Sequence, residues 1–279
     1  MNIRINTIIL SFFVSALFCF PIPDACAKVL NKEEIAGLYT EATMMFREAN
    51  ELARTNPEKA DMLYQSAVMR FERIVKDGGV ENGRLYYNIG NAYFRMNDLG
   101  MAILNYLKAE RLIPDDANLH HNLEYARSKR LDRIEEEEKT KVLKTLFFWH
   151  YDLSAGTRFI ILAFTSACFW VAASLRLFYS KEVVNRIILC AAALSLLMAG
   201  SLFIEKITIE NTQPGVVISP ELTARKGNSM TYEPAFEDPL HAGTEFILID
   251  EREGWFHIEL SDSRKCWVPK NGALLLDSV

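Results

Sequence analysis

Between residues 33 and 129 the apolar positions return at intervals of three and four, the period of a helix with one buried face. The stretches EEIAGLYTEATMMFREANELA and PEKADMLYQSAVMRFERIVKDGG predict one helix pair, and LYYNIGNAYFRMNDLGMAILNYLKAERLIPDD predicts a second. The pattern then changes twice. Residues 159–175 and 187–204 are uncharged apolar runs, each reaching roughly 25 Å as a helix, close to the thickness of a bilayer core. Beyond residue 212, TEFILID and WFHIEL alternate apolar with polar at period two, and EREG and SDSR read as turns. Short strands at that spacing predict a small β-barrel. The fold class expected is therefore multi-domain: an all-α helical repeat, two transmembrane helices and a C-terminal small all-β barrel.

The helical zone carries a specific motif. With Gly83 as the first position of a unit of about 34 residues, Tyr86, Ile89, Gly90, Tyr93, Ala102, Tyr106, Ala109 and Pro114 fall at the key positions of the tetratricopeptide repeat, Tyr86 standing where Trp is usual. The residue types have physical reasons. Tyr86, Ile89, Gly90 and Tyr93 share one helix face, Gly90, Ala102 and Ala109 are small enough for two helices to approach closely, and Pro114 ends the second helix. One repeat cannot bury its own faces. Upstream, Ala67, Phe71 and Ile74 reproduce the spacing of Ala102, Tyr106 and Ala109 in a divergent first repeat. Downstream, ANLHHNLEYARSKRLDRIEEEEKTK keeps Leu123 but has Glu124 in the glycine position. It reads as a capping helix running into a solvated charged stretch, and residues 28–140 form the repeat domain. The face opposite the packing face carries Arg84, Tyr87, Asn88, Asn91 and Arg95, continued by His121, Asn122, Tyr125 and Lys129. That stripe is either a solvated helix face or the lining of a groove for an extended peptide or partner helix.

The N-terminus has Arg4, an apolar run from Ile8 to Phe20 and Ala25-Cys26-Ala27, which together predict a signal peptide over residues 1–27; an uncleaved anchor is the alternative. Transmembrane helices are expected at 157–179 and 186–206. Their loop, 180–185, is flanked by Arg176 and Arg186 and contains Lys181, so the positive-inside rule places it in the cytoplasm. Ala163 and Ala167 on one run, and Ala191, Ser195 and Ala199 on the other, are expected to let the two helices pack. No ionisable residue lies in either run, so the hairpin reads as an anchor and not a transport path. Residues 141–156, with Lys144, Trp149 and Tyr151, are an interfacial linker or an ordinary amphipathic one.

Residues 212–279 hold the β module. The order VISPELTARKGNS, LHAGTEFILIDEREGWFHIEL, KCWVPKNGALLL resembles the bacterial SH3-like (SH3b) domain, with Cys266 where a glycine usually precedes the last Trp. Trp255 and Trp267 are candidates for its ligand surface, or else one is core and the other half-exposed. The chain of 279 residues has a net charge of −5, which argues against nucleic acid as a partner. Cysteine and histidine spacing predicts no metal site. No catalytic constellation can be assembled, so neither cofactor nor enzymatic activity is expected.

The order of signal segment, tetratricopeptide repeats, two-span hairpin and SH3-like module resembles the BatE-type proteins of the Bacteroides aerotolerance (Bat) family. The residues that carry the likeness are YYNIGNAYFRMNDLGMAILNYLKAERLIPDD, the junction FFWHYDLS, and GWFHIEL followed by CWVP. The resemblance implies partners among von Willebrand A-type membrane proteins, a MoxR-type ATPase nearby, and a role in stress or oxygen tolerance. It implies an inner-membrane scaffold with both folded modules on the periplasmic side. The competing expectation is a peptidoglycan binder acting through the SH3-like module.

Overall fold

A computed structural model describes residues 30–135, 137–178 and 181–277. The signal peptide expected at 1–27 lies outside the described residues, as does part of the loop at 180–185.

The helical zone begins with α1 (Lys32–Leu52) and α2 (Pro57–Lys76) and continues with α3 (Gly83–Arg95), α4 (Leu99–Leu112) and α5 (Ala117–Ser128). Each starts on a residue whose side chain accepts from backbone N–H groups of the first turn: Asn31, Asn56, Asn82, Asp98 and Asp116. Such caps satisfy donors that a helix cannot satisfy itself, at about 1 kcal/mol each. Asn31 and Glu34 form a reciprocal capping box, and Pro57 opens α2 where its missing N–H costs nothing. The helices pack as antiparallel pairs around a main core, with a smaller cluster of Ala49, Ala60 and Tyr64 between the far ends of the first pair. Ala67, Phe71 and Ile74 of α2, Ile89 of α3 and Ala102, Tyr106 and Ala109 of α4 are all within 1% of complete burial. Gly90 is required there: a Cβ on it would lie 2.6 Å from the Tyr106 ring.

The β module is an antiparallel five-stranded sheet in the order β6-β5-β4-β1-β7, with a separate β2–β3 pair. The strands are β1 (Gln213–Val217), β2 (Glu221–Leu222), β3 (Leu240–His241), β4 (Glu245–Arg252), β5 (Trp255–Leu260), β6 (Lys265–Pro269) and β7 (Ala273–Leu275). The expected barrel is not closed, because β6 and β7 remain the two edges of the sheet. On the β7 side the sheet packs against the helices: Val216 of β1 and Leu276 just past β7 belong to the helical core.

That contact makes the helical repeats and the sheet one body. A Cβ on Gly100, at the start of α4, would come within 2.8 Å of the Ile218 Cα and the Val217 carbonyl. Arg127 of α5 donates from Nε and Nη2 to the two carboxylate oxygens of Glu245, each at 2.8 Å, and Arg130 Nη1 donates to the same group at 3.1 Å. The charged stretch after α5 was expected to be solvated. Its first part is instead a strap across the sheet. Ile134 packs on the β core, Asp132 accepts from the His241 N–H at 2.7 Å and from the Thr244 hydroxyl, and Glu137 accepts from Ser263 at 3.1 Å. The apolar Ile134 inside the charged run explains the difference, since burying it draws its neighbours onto the sheet.

Between strap and sheet the chain runs through α6 (Glu138–Leu146), α7 (Phe148–Tyr151), α8 (Ala155–Arg176) and α9 (Glu182–Asn211). Helices α8 and α9 are long and apolar enough to cross a membrane. Because residues before and after the pair bond to one another, both flanks lie at the same end of it. The packing seam differs from the expected one. Ala163, Ala167 and Ala199 are exposed, and the buried positions are Arg158, Thr165 and Ala172 on α8 and Ala191, Met198 and Ser201 on α9. A hydrogen bond from Ser195 to Thr165, at 2.8 Å, holds the middle. At the end nearest the folded head, the 2%-exposed Arg158 donates to Ser201 Oγ at 2.8 Å and is paired with Glu205. The charged flank of the first run turns inward because α9 supplies those acceptors. Of the expected small residues Ala191 and Ser195 do lie in the seam, and polar pairing joins small-residue packing there.

Candidate functional site

The concave side of the helical repeats holds a cleft of about 460 Å³ lined by residues of α1, α3, α4 and α5: Phe46, Asn91, Phe94, Arg95, Tyr106, His121, Asn122 and Tyr125. Five of the nine residues anticipated from sequence line it. The others sit around it. Tyr87 accepts from Asn122 Nδ2 at 2.9 Å, Asn88 donates to the Tyr39 hydroxyl at 3.2 Å, Lys129 lies 4.9 Å over the Tyr125 ring, and Arg84 is exposed on the first turn of α3.

The floor of the cleft is a closed polar network. Asn91 Oδ1 accepts from the Tyr106 hydroxyl at 2.8 Å and from Asn122 Nδ2 at 2.9 Å. Burial, the largest influence, raises the Tyr106 hydroxyl above its ordinary pKa, so it stays a proton donor to that amide. The Asn91 oxygen is therefore spent within the protein. What the cleft presents outward is a polar and aromatic rim: the exposed Arg95 guanidinium and His121 ring, and Tyr125 packed on Phe94 at 5.6 Å between ring centroids.

Phe46, Phe94 and Tyr106 are lining residues that sequence reasoning missed. Phe94 follows Asn91 by three residues and Tyr87 by seven, so helical phase could have placed it on the groove face. Phe46 comes from the preceding repeat, and only the stacking of the two pairs brings it to the cleft.

On the sheet, the two tryptophans part company. Trp255 is buried to 9% exposure and contributes one wall of a shallow surface concavity with Met230, Pro269, Lys270 and Asn271. Trp267 is half-buried, stacked on His257 with centroids 4.6 Å apart and planes 9° from parallel, and Arg252 lies over its ring at 5.3 Å. The β5–β6 register puts both indoles on the same face of the sheet, Trp255 opposite Pro269 and Trp267 opposite His257. Cys266 is buried in the sheet core, and burial pushes its thiol up to about 12, which leaves it a small apolar filler and not a nucleophile. Among the described residues no group of His, Cys, Asp and Glu could hold a metal ion.

Compared with known families, residues 83–116 match the tetratricopeptide repeat, the same span that the spacing of Gly83 to Pro114 marks out. No curated protein sequence matches the chain. Tetratricopeptide repeats generally mediate contacts between proteins, and the cleft lies on the concave side where such contacts are made.

Proposed function

We propose that this protein is a membrane-anchored, non-catalytic scaffold that holds a protein partner in the cleft between α1, α3 and α5. The observation that carries the reading is the cleft itself: a satisfied polar floor under a rim of Phe94 and Tyr125, with Arg95 and His121 exposed at its mouth, built on a repeat of the kind that presents such surfaces. The partner segment it fits is extended, with an apolar or aromatic side chain to lie against Phe94 and Tyr125 and a carboxylate to meet Arg95 and His121. A charge-assisted hydrogen bond of that kind contributes about 1.5–3 kcal/mol. Helices α8 and α9 are the anchor. The positive-inside rule, applied to the basic loop between them, supports a folded head on the non-cytoplasmic side. By the resemblance to the BatE-type proteins, the partners are von Willebrand A-type membrane proteins of a Bat assembly at the inner membrane, on its periplasmic face.

Arg95→Ala with Tyr125→Ala tests this. Both residues are exposed, so the fold should survive. Photo-crosslinking from His121 in membranes would identify the bound protein, and the double variant should lose roughly tenfold or more of it. Retention of the crosslink, together with its loss on Trp267→Ala, would move the binding site to the sheet.

The concavity at Trp255 favours a second reading. Its mixed lining of an indole face, Asn228, Ser229 and Asn271 suits a sugar, so peptidoglycan binding through the sheet is the alternative. Sedimentation with purified peptidoglycan separates the two.

A further inference from the structure

Helix α6 has no buried residue, yet it carries Val142, Leu143 and Leu146 at 56%, 47% and 61% exposure. These occupy one face by helical spacing, with Lys139 at its N-terminal end, while Lys141 lies on the opposite side. The short α7 continues the exposed apolar surface through Phe147, Phe148 and Tyr151. Water-facing helices do not concentrate large apolar groups in this way, and a patch of this kind marks a contact surface.

Two contacts on the hairpin fix the level at which the surface sits. His150 of α7 accepts from Arg158 Nη1 at 3.1 Å and lies 2.8 Å from Ser201 Oγ. Arg158 is the residue at which the uncharged run of α8 ends, and it pairs with Glu205 on α9. In a chain whose hairpin crosses a bilayer, that charged knot stands where hydrocarbon gives way to headgroups. The aromatic residues of α7 are pinned to the same depth, which is where Trp and Tyr side chains partition best. At the other end of α6, the Glu137 N–H donates to the Ser261 carbonyl at 3.4 Å, so the helix is also tied to the sheet.

We propose that residues 138–151 lie in the plane of the phospholipid leaflet that faces the folded head, with Val142, Leu143, Leu146 and the α7 aromatics in the acyl–headgroup boundary and Lys141 turned to water. An amphipathic helix held this way binds through its buried apolar face. Because α6 is bonded to the sheet and α7 to the hairpin, this contact sets the tilt of the whole head, and with it the direction in which the α1–α3–α5 cleft opens. The cleft then faces partners that are themselves held at the membrane. The inference rests on the reading of α8 and α9 as an anchor, and the experiment tells the two apart.

Spin labels placed by Lys141→Cys, Leu143→Cys and Phe164→Cys, one at a time, in the full chain with Cys19, Cys26, Cys168 and Cys190 changed to Ser, report what each position touches. Cys266 can remain because it is buried. In nanodiscs of phosphatidylcholine and phosphatidylglycerol, collisions with oxygen against those with a water-soluble nickel chelate give a depth parameter. It should be positive at 164 and at 143 and negative at 141. A negative value at 143 beside a positive one at 164 overturns the proposal and leaves the anchor standing. So does shielding of 143 from both reagents, which would mean that a protein surface, such as a second copy, covers the face. A negative value at 164 refutes anchor and leaflet contact together.

Discussion

Gly90→Ala adds a single methyl group, and the surroundings state what it must do. Its Cβ would stand 2.6 and 2.7 Å from two carbons of the Tyr106 ring and 3.2 Å from the Ala102 carbonyl. The ring cannot swing away, because it is 1% exposed and its hydroxyl is held by Asn91. The helices must therefore separate, at a cost in the upper part of the 1–3 kcal/mol typical of overpacking. Against this, alanine is the better helix former by about 1 kcal/mol. Gly37→Ala isolates that second effect: Gly37 lies inside α1 with nothing within 4 Å of an added Cβ, so this change should stabilise by about 1 kcal/mol. The two variants should differ by roughly 2–3 kcal/mol, or about 4–12 °C in Tm at 2–4 °C per kcal/mol for a body of this size. Far-ultraviolet circular dichroism melts of the full chain in one detergent measure both. Equal shifts of the same sign would mean that the close approach of α3 and α4 at Gly90 does not limit stability, and the packing argument would fail.

Asn91→Ala should destabilise by about 1–3 kcal/mol, since it strips the buried Tyr106 hydroxyl of its acceptor; adding Tyr106→Phe should recover part of the loss, and a double-mutant cycle by urea unfolding measures the coupling. Asp132 predicts a dependence on pH. Burial opposes its ionised form, but hydrogen bonds from Thr244 and from the His241 N–H and ring outweigh this and hold its carboxyl below the ordinary value. Its contribution is therefore complete above the unfolded value of about 4 and is lost as pH falls through the folded one. Wild-type melts should lose stability in that acid range more steeply than those of Asp132→Asn, which should be the weaker protein at neutral pH. Cys266, with its thiol pushed up to about 12, should resist maleimide in the native protein and react once urea unfolds it; labelling at the native rate of an exposed cysteine would contradict its burial.

The three zones and the tetratricopeptide unit were legible in the chain because each depends on a face that an element must bury, and such a face is written as a period. The aromatic and small residues of 83–116 go further, since a glycine beside a tyrosine at repeat spacing describes a two-helix contact that is local in sequence. The groove stripe was half legible for the same reason. Helical phase put Asn91, Arg95, His121, Asn122 and Tyr125 on the right side. It could not tell that the Asn91 oxygen is used up by Tyr106 and Asn122, nor that Phe46 arrives from another repeat. Tertiary structure alone decided the rest: that Arg127, Arg130 and Glu245 clamp the helices to the sheet, that Gly100 gives way to β1, that the charged strap covers the β core, that the sheet stays open, and that Arg158 turns inward to Ser201 and Glu205. In sequence these are ordinary charges and one glycine at a helix start. A charge carries no period, and its partner lies over a hundred residues away in the case of Glu245, across the whole hairpin. Only when the chain has closed that distance does a solvated side chain differ from one that joins two modules.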